Sequence, residues 1–125
     1  MADELASLRR SIERLPDDVT AQLRAVAWQT SRRVKDRALS ILQSKTGKAD
    51  RIAVITIVED AAEQAFRVIA EGPADKPANL ALWFERGTRF MVARPFMRPA
   101  GDAEDARYKA ESQVAVTRVI ERMAA

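Results

Sequence analysis

Residues 51–71, RIAVITIVEDAAEQAFRVIAE, decide the fold class of this 125-residue chain. From Arg51 to Val58 β-branched residues stand at nearly every place. Their period is two, with Ile52, Val54, Thr56 and Val58 on one face and Ala53, Ile55 and Ile57 on the other. Both faces are apolar, so the run is expected to be a strand covered on both sides. Glu59 to Gln64 reads as a polar connection, and Ala65 to Glu71 returns as a second strand with Phe66 and Val68 set against Arg67, Ile69 and Glu71. An antiparallel β-hairpin over 51–71 follows. The adjacent Glu59 and Asp60 read as solvated turn residues, since neighbouring carboxylates on a loop need no acid–base chemistry.

Toward the N-terminus, Lys45 to Asp50 (KTGKAD) is a loop built on Gly47. Its Gly-Lys pair lacks the first glycine and the following hydroxyl that a phosphate-binding loop requires. Before it, Val19, Leu23, Val26, Thr30, Val34, Ala38, Ile41 and Leu42 recur at helical spacing, which predicts a long helix over 16–44. Pro16 suits its first position, and Asp17 and Asp18 its first turn. A second set, Ala21, Ala25, Trp28, Arg32 and Leu39, lies roughly half a turn away. Either another layer of the same chain or a neighbouring subunit must cover it, so Trp28, Arg32 and Leu39 are candidates for a subunit seam. Leu5, Leu8, Ile12 and Leu15 predict a separate short helix over 1–15, with Pro16 as the break.

Toward the C-terminus, the loop at 72–78 (GPADKPA) lets the chain leave the sheet. Asn79 is a good N-cap for a short helix over 79–86 that carries Leu80, Trp83 and Phe84. Gly87 should end that helix in the left-handed conformation. Pro95 and Pro99 push Arg94 and Arg98 away from helical angles, so Thr88 to Arg98 is expected to be largely extended, an arm over 87–99. Pro99 then opens a closing amphipathic helix over 100–123, with Asp102, Glu104 and Asp105 near its start and Tyr108, Ala115, Val116, Val119, Ile120 and Met123 on one side. The expected fold is α+β, one domain over 1–125. A long N-terminal and a C-terminal helix pack on a small antiparallel sheet, with an extended Pro/Arg-rich arm.

The chain has no cysteine, hence no disulfide and no thiolate zinc site, and no histidine, the commonest general base and metal ligand. No nucleophile–base pair or metal-ligand set is visible, so no catalytic, cofactor-binding or metal residue is assigned and an enzyme is not expected. The opening MADELASL has no apolar core of a secretory signal, and the apolar run Ile52 to Val58 is too short to span a bilayer. A soluble protein made in a reducing cytoplasm is expected. The net charge of +3 is uneven: +3 over residues 1–50, −3 over 51–75, +4 over 76–100 and −1 beyond. A basic island on an extended segment suits an acidic protein surface or a passing DNA backbone.

Within that island Arg86, Arg89, Arg94 and Arg98 interleave with Phe90, Met91, Phe96 and Met97. Taken alone, the arginines read as solvated loop charges; the mixture of Arg, Met and aromatic residues is the composition of interfaces. Strand-like alternation would set Phe90 and Val92 on one side and Arg89, Met91 and Ala93 on the other, one side for the parent domain and one for a partner. With Gly87 at its base and no evident sheet partner, the arm is expected to be mobile in the free subunit and ordered on docking.

The string from Trp83 to Ala100, with Phe84, Glu85, Gly87 and Thr88 followed by ARPFMRPA at 93–100, resembles the signature of the tail-completion or head–tail joining proteins of long-tailed bacteriophages and prophages. The order of elements agrees more loosely over most of the chain. Arg86 departs from that pattern, as do Gly101 and Asp102, where apolar residues would be expected. The resemblance implies a structural virion protein, assembled in the host bacterial cytoplasm and placed in the neck. It implies a homo-oligomeric ring, expected to be sixfold, between the head-closure and tail-terminator proteins, with DNA passing through its lumen without sequence specificity. No cofactor and no membrane is implied. The partner-binding arm would comprise Glu85, Arg86, Gly87, Thr88, Arg89, Phe90, Met91, Arg94, Pro95, Phe96, Arg98 and Pro99. The alternative is a small basic nucleic-acid-binding protein, suggested by the basic island and by Arg24, Arg32, Arg33 and Arg37 of the long helix.

Overall fold

The helical periodicity upstream of the hairpin produces one helix, α1, Ala2–Thr46. The computed structural model describes residues 2–60 and 65–124, with side-chain surroundings for residue 6, 17–60 and 65–122. The break expected at Pro16 is absent, and 1–15 and 16–44 are not separate helices. In the sequence, the spacing of Leu8, Ile12, Leu15 and Val19 stays in helical phase across Pro16. Pro16 forfeits a single backbone bond, a local cost that periodicity on both sides outweighs. The packing of Leu5, Leu8, Ile12 and Leu15 lies outside the described residues.

Gly47, at φ 69°, stops α1, and its N–H donates to the Gln43 carbonyl at 2.8 Å. A single helical turn, α2, Ala49–Ile52, then takes the place of the expected loop end and strand start, burying Ala49 and Ile52. Strands β1, Val54–Asp60, and β2, Ala65–Glu71, pair antiparallel, with Val54 opposite Glu71, Thr56 opposite Ile69 and Val58 opposite Arg67. The expected connection at 61–64 lies outside the described residues.

Ile55 is buried on the inner face of the sheet, with Ile57, Val68 and Ala70 half-buried beside it. The outer face is not covered as expected: Val54 is 48% and Val58 44% exposed. Two strands present two broad faces, and among the described residues the helices packed on the sheet occupy only one of them.

Helix α3, Leu80–Arg86, follows a loop closed by the Gly72 N–H donating to the Ala78 carbonyl at 3.0 Å. Asn79 stands at its N-cap position, although its side chain makes no capping bond. Helix α4, Met97–Ala124, runs back along α1 and starts three residues earlier than expected. The result is an α+β fold in which the long N- and C-terminal helices pack on a two-stranded antiparallel sheet. The core gathers Ala38, Leu42, Ile52, Ile55, Ala81, Phe96 and Ala100 from α1, α2, β1, α3 and the start of α4. Ala115 and Val119 extend it along the helix pair. Tyr108 and Ile120, expected on the inner side of α4, are exposed.

Candidate functional site

The expected arm is a folded turn on a clamped base. Gly87, at φ 77°, ends α3 with its N–H on the Trp83 carbonyl at 2.8 Å. A Cβ there would stand 2.8 Å from both the Ala93 nitrogen and the Met91 oxygen, so the returning chain passes directly over this glycine. Thr88 and Met91 exchange both backbone bonds, at 2.8 and 3.3 Å, which places Arg89 and Phe90 at the tip. The Phe90 N–H also donates to the Thr88 hydroxyl at 3.2 Å. Sequence reasoning foresaw the glycine and missed the reversal after it, because no Asn-Gly or Gly-rich pair marks this turn.

The descending limb is tied to its own subunit. The Arg94 N–H donates to the Phe84 carbonyl at 2.7 Å, and Lys45 Nζ donates to the Pro95 carbonyl at 2.9 Å. Phe96 is fully buried, a contribution of roughly 2–3 kcal/mol. The Glu85 carboxylate accepts the backbone N–H groups of Phe96, Met97 and Arg98 at 2.8, 2.9 and 3.0 Å, satisfying three donors that the first turn of α4 leaves free. Burial pushes the Glu85 carboxyl up, but those three N–H groups and the Lys45 charge outweigh it and hold it below the usual carboxylate range.

Extended structure over Thr88–Arg98 is therefore corrected. Pro95 does bar helix at Arg94, but Pro99 lies inside the first turn of α4 and costs it nothing, because that turn's N–H groups have no partner within the helix. Glu85, Pro95, Phe96 and Pro99 serve the subunit's own packing. What faces outward is the tip and its flanks: Phe90 is 90% and Val92 84% exposed, Met91 is half-buried, and Arg86, Thr88, Arg89, Arg94 and Arg98 are exposed. The Arg89 guanidinium lies 5.6 Å from the centre of the Phe90 ring, and that of Arg94 5.9 Å from the centre of the Phe84 ring. Arg98 and Asp102 approach only to 3.9 Å.

Trp28, Arg32 and Leu39 share one stripe of α1 but differ in burial. Trp28 packs on Phe66 of its own hairpin, ring centres 5.4 Å apart, and stays 43% exposed. Leu39 packs against the core, while Arg32 is exposed. Arg24 also lies over Phe66 and pairs with Glu59, fastening α1 to the end of β1.

Sequence reasoning placed Glu104 near the helix start as a dipole charge and missed its main role. Glu104 is 1% exposed and receives Arg37 Nε at 2.6 Å and Arg33 Nε at 3.0 Å; Arg33 also reaches Glu111 at 3.0 Å, which Arg107 holds at 2.7 Å. The hydrogen bond from Arg37 holds the Glu104 carboxyl below its ordinary range, burial opposes this, and Arg33 reinforces it. Burial alone would lower Arg33, but Glu111 and Glu104 raise it, so it stays charged. The signal was present: Ala100, Glu104, Glu111, Ala115 and Val119 share one helical stripe, so a carboxylate there has to meet α1.

No group of three or more acidic, histidine or cysteine side chains able to hold a metal ion occurs among the described residues. No helix among them is long and apolar enough to cross a membrane. Comparison with protein-family models, curated proteins and solved structures gives no match.

Proposed function

We propose that this chain is a structural protein of a phage neck, forming a ring that joins the DNA-filled head to the tail. One observation carries the reading beside the resemblance at 83–100: a turn bearing two almost fully exposed apolar side chains, Phe90 and Val92, rises from a base fixed by Gly87, Arg94 and Glu85. An apolar tip on a fixed base, with arginines around it, is expensive to leave in water and suits insertion into a partner. The ring is proposed as sixfold, its neighbours as the head-closure and tail-terminator proteins, its place as the virion, and its lumen as a passage for DNA. The basic residues that serve partners are Arg86, Arg89, Arg94 and Arg98. Arg24, Arg33 and Arg37 are held by carboxylates of the same chain, which argues against the reading as a nucleic-acid-binding protein.

Deleting the gene from the phage or prophage that carries it tests the reading. Full heads and free tails that fail to join, with joining restored by the gene in trans, are the expected result. Normal particles would overturn it. Micromolar affinity of the purified chain for duplex DNA at physiological salt would favour the nucleic-acid reading instead.

A further inference from the structure

Strand β1 has the composition of a strand buried on both faces, yet among the described residues its own chain covers one. On the outer face Val54 and Val58 of β1 and the half-buried Ile69 of β2 form a short apolar strip around Thr56. Glu71, exposed and directly opposite Val54, borders one end; at the other, Arg67 stands opposite Val58 and pairs with Asp60, so that end is neutral. Elsewhere on the same chain the Thr88–Met91 turn presents Phe90 and Val92, bordered by Arg86, Arg89 and Arg94. An apolar centre with one carboxylate, Glu71, at its edge stands on one surface, and an apolar centre with a basic rim on another. The surrounding stretches carry −3 over residues 51–75 and +4 over 76–100.

We infer that the Arg89–Val92 tip of one copy docks on the outer face of the β1–β2 hairpin of a second copy. Phe90 and Val92 cover Val54, Val58 and Ile69, while the arginines turn toward Glu71, away from Arg67 at the other end of the strip. Because tip and face are different patches, the contact is heterologous, and repetition gives a closed ring or an open filament. Closure into a ring is the only part that rests on the function proposed above. Apolar burial supplies most of the attraction, and the charge pattern sets orientation and excludes tip-to-tip pairing.

The absence of native cysteine gives a clean test. Full-length Val92→Cys is mixed with full-length Thr56→Cys, or with Tyr108→Cys beside the separate groove lined by Ala27, Val34, Phe66 and Val68. The mixtures are treated with a short bis-maleimide under conditions where ultracentrifugation shows assemblies. The inference expects Val92-to-Thr56 heterodimers in several-fold excess over Val92 pairs and over Val92-to-Tyr108 products. It also expects Phe90→Glu to weaken self-association at least about tenfold with unchanged thermal unfolding, as for a central contact residue. Crosslinking to Tyr108, pairing of Val92 with itself, or a chain monomeric at hundreds of micromolar would overturn the tip-to-face contact. None of these would alter the outcome of the gene deletion, so the two proposals fail separately.

Discussion

Glu85, in the last turn of α3, accepts the N–H of Phe96 at 2.8 Å, so a side chain of one helix caps the next across eleven residues of chain. The base of the projecting turn is fixed by that bond and by its two companions at Met97 and Arg98. Replacing Glu85 with Ala should cost about 1–2 kcal/mol, and with Gln less, because one amide oxygen still accepts. Urea unfolding of the three chains checks the order.

Hydrogen exchange distinguishes base from tip. Amides of Arg94, Phe96, Met97 and Arg98 should be protected in the isolated subunit, because each donates within it. Arg89, Val92 and Ala93 lie exposed and should exchange rapidly. Uniform fast exchange from Thr88 to Arg98 would mean that the arm is mobile throughout, as the sequence alone suggested.

Gly87→Ala should destabilise by roughly 1–3 kcal/mol, through its positive φ and through the contact of a new Cβ with Met91 and Ala93. The tip should loosen as well, read as a loss of protection at Arg94.

Acid should weaken the fold through two carboxylates. Glu85 and Glu104 have folded-state values held below the ordinary 4.5. Each therefore contributes stability that is present above that value and lost as pH falls through the folded one, because the unfolded chain binds the extra protons. The unfolding temperature should drop steadily from pH 5 downward. Glu85→Gln, less stable near neutrality, should show a shallower drop.

Removing Glu104 alone, as Glu104→Leu, should cost about 3 kcal/mol, since Arg33 and Arg37 lose a buried partner. Adding Arg33→Met should recover most of that, because Arg37 is half-exposed and Glu111 keeps Arg107. A double-mutant cycle with no coupling between Glu104 and Arg33 would contradict the assignment.

The hairpin, α3, the stop at Gly87 and the two long helices were legible because period and punctuation are local signals. Three features were not, each for a reason of partnership. Pro16 is a strong local breaker, yet the stripe from Leu8 to Val19 crosses it in phase. Residues 88–98 look extended by their prolines, but Glu85 and the pocket for Phe96 decide where they go, and both are tertiary. The alternation of β1 says that two faces want cover without saying whether one chain provides both. Of the candidate site residues, the exposed arginines and Phe90 stand where a partner could meet them. Glu85, Pro95, Phe96 and Pro99 matched the same string because they build its platform.

The carboxylate of Glu104 also fixes alignment. Small side chains such as Ala38, Ala100 and Ala115 let two helices slip past each other with little change in contact area. A shift of α4 by one turn, about 5.4 Å along α1, would take Glu104 away from one of the two guanidinium groups that it bridges and leave a buried anion with half its partners. Axial sliding therefore meets an electrostatic stop, and a load applied at one end of this helix pair is passed along it as through a keyed shaft.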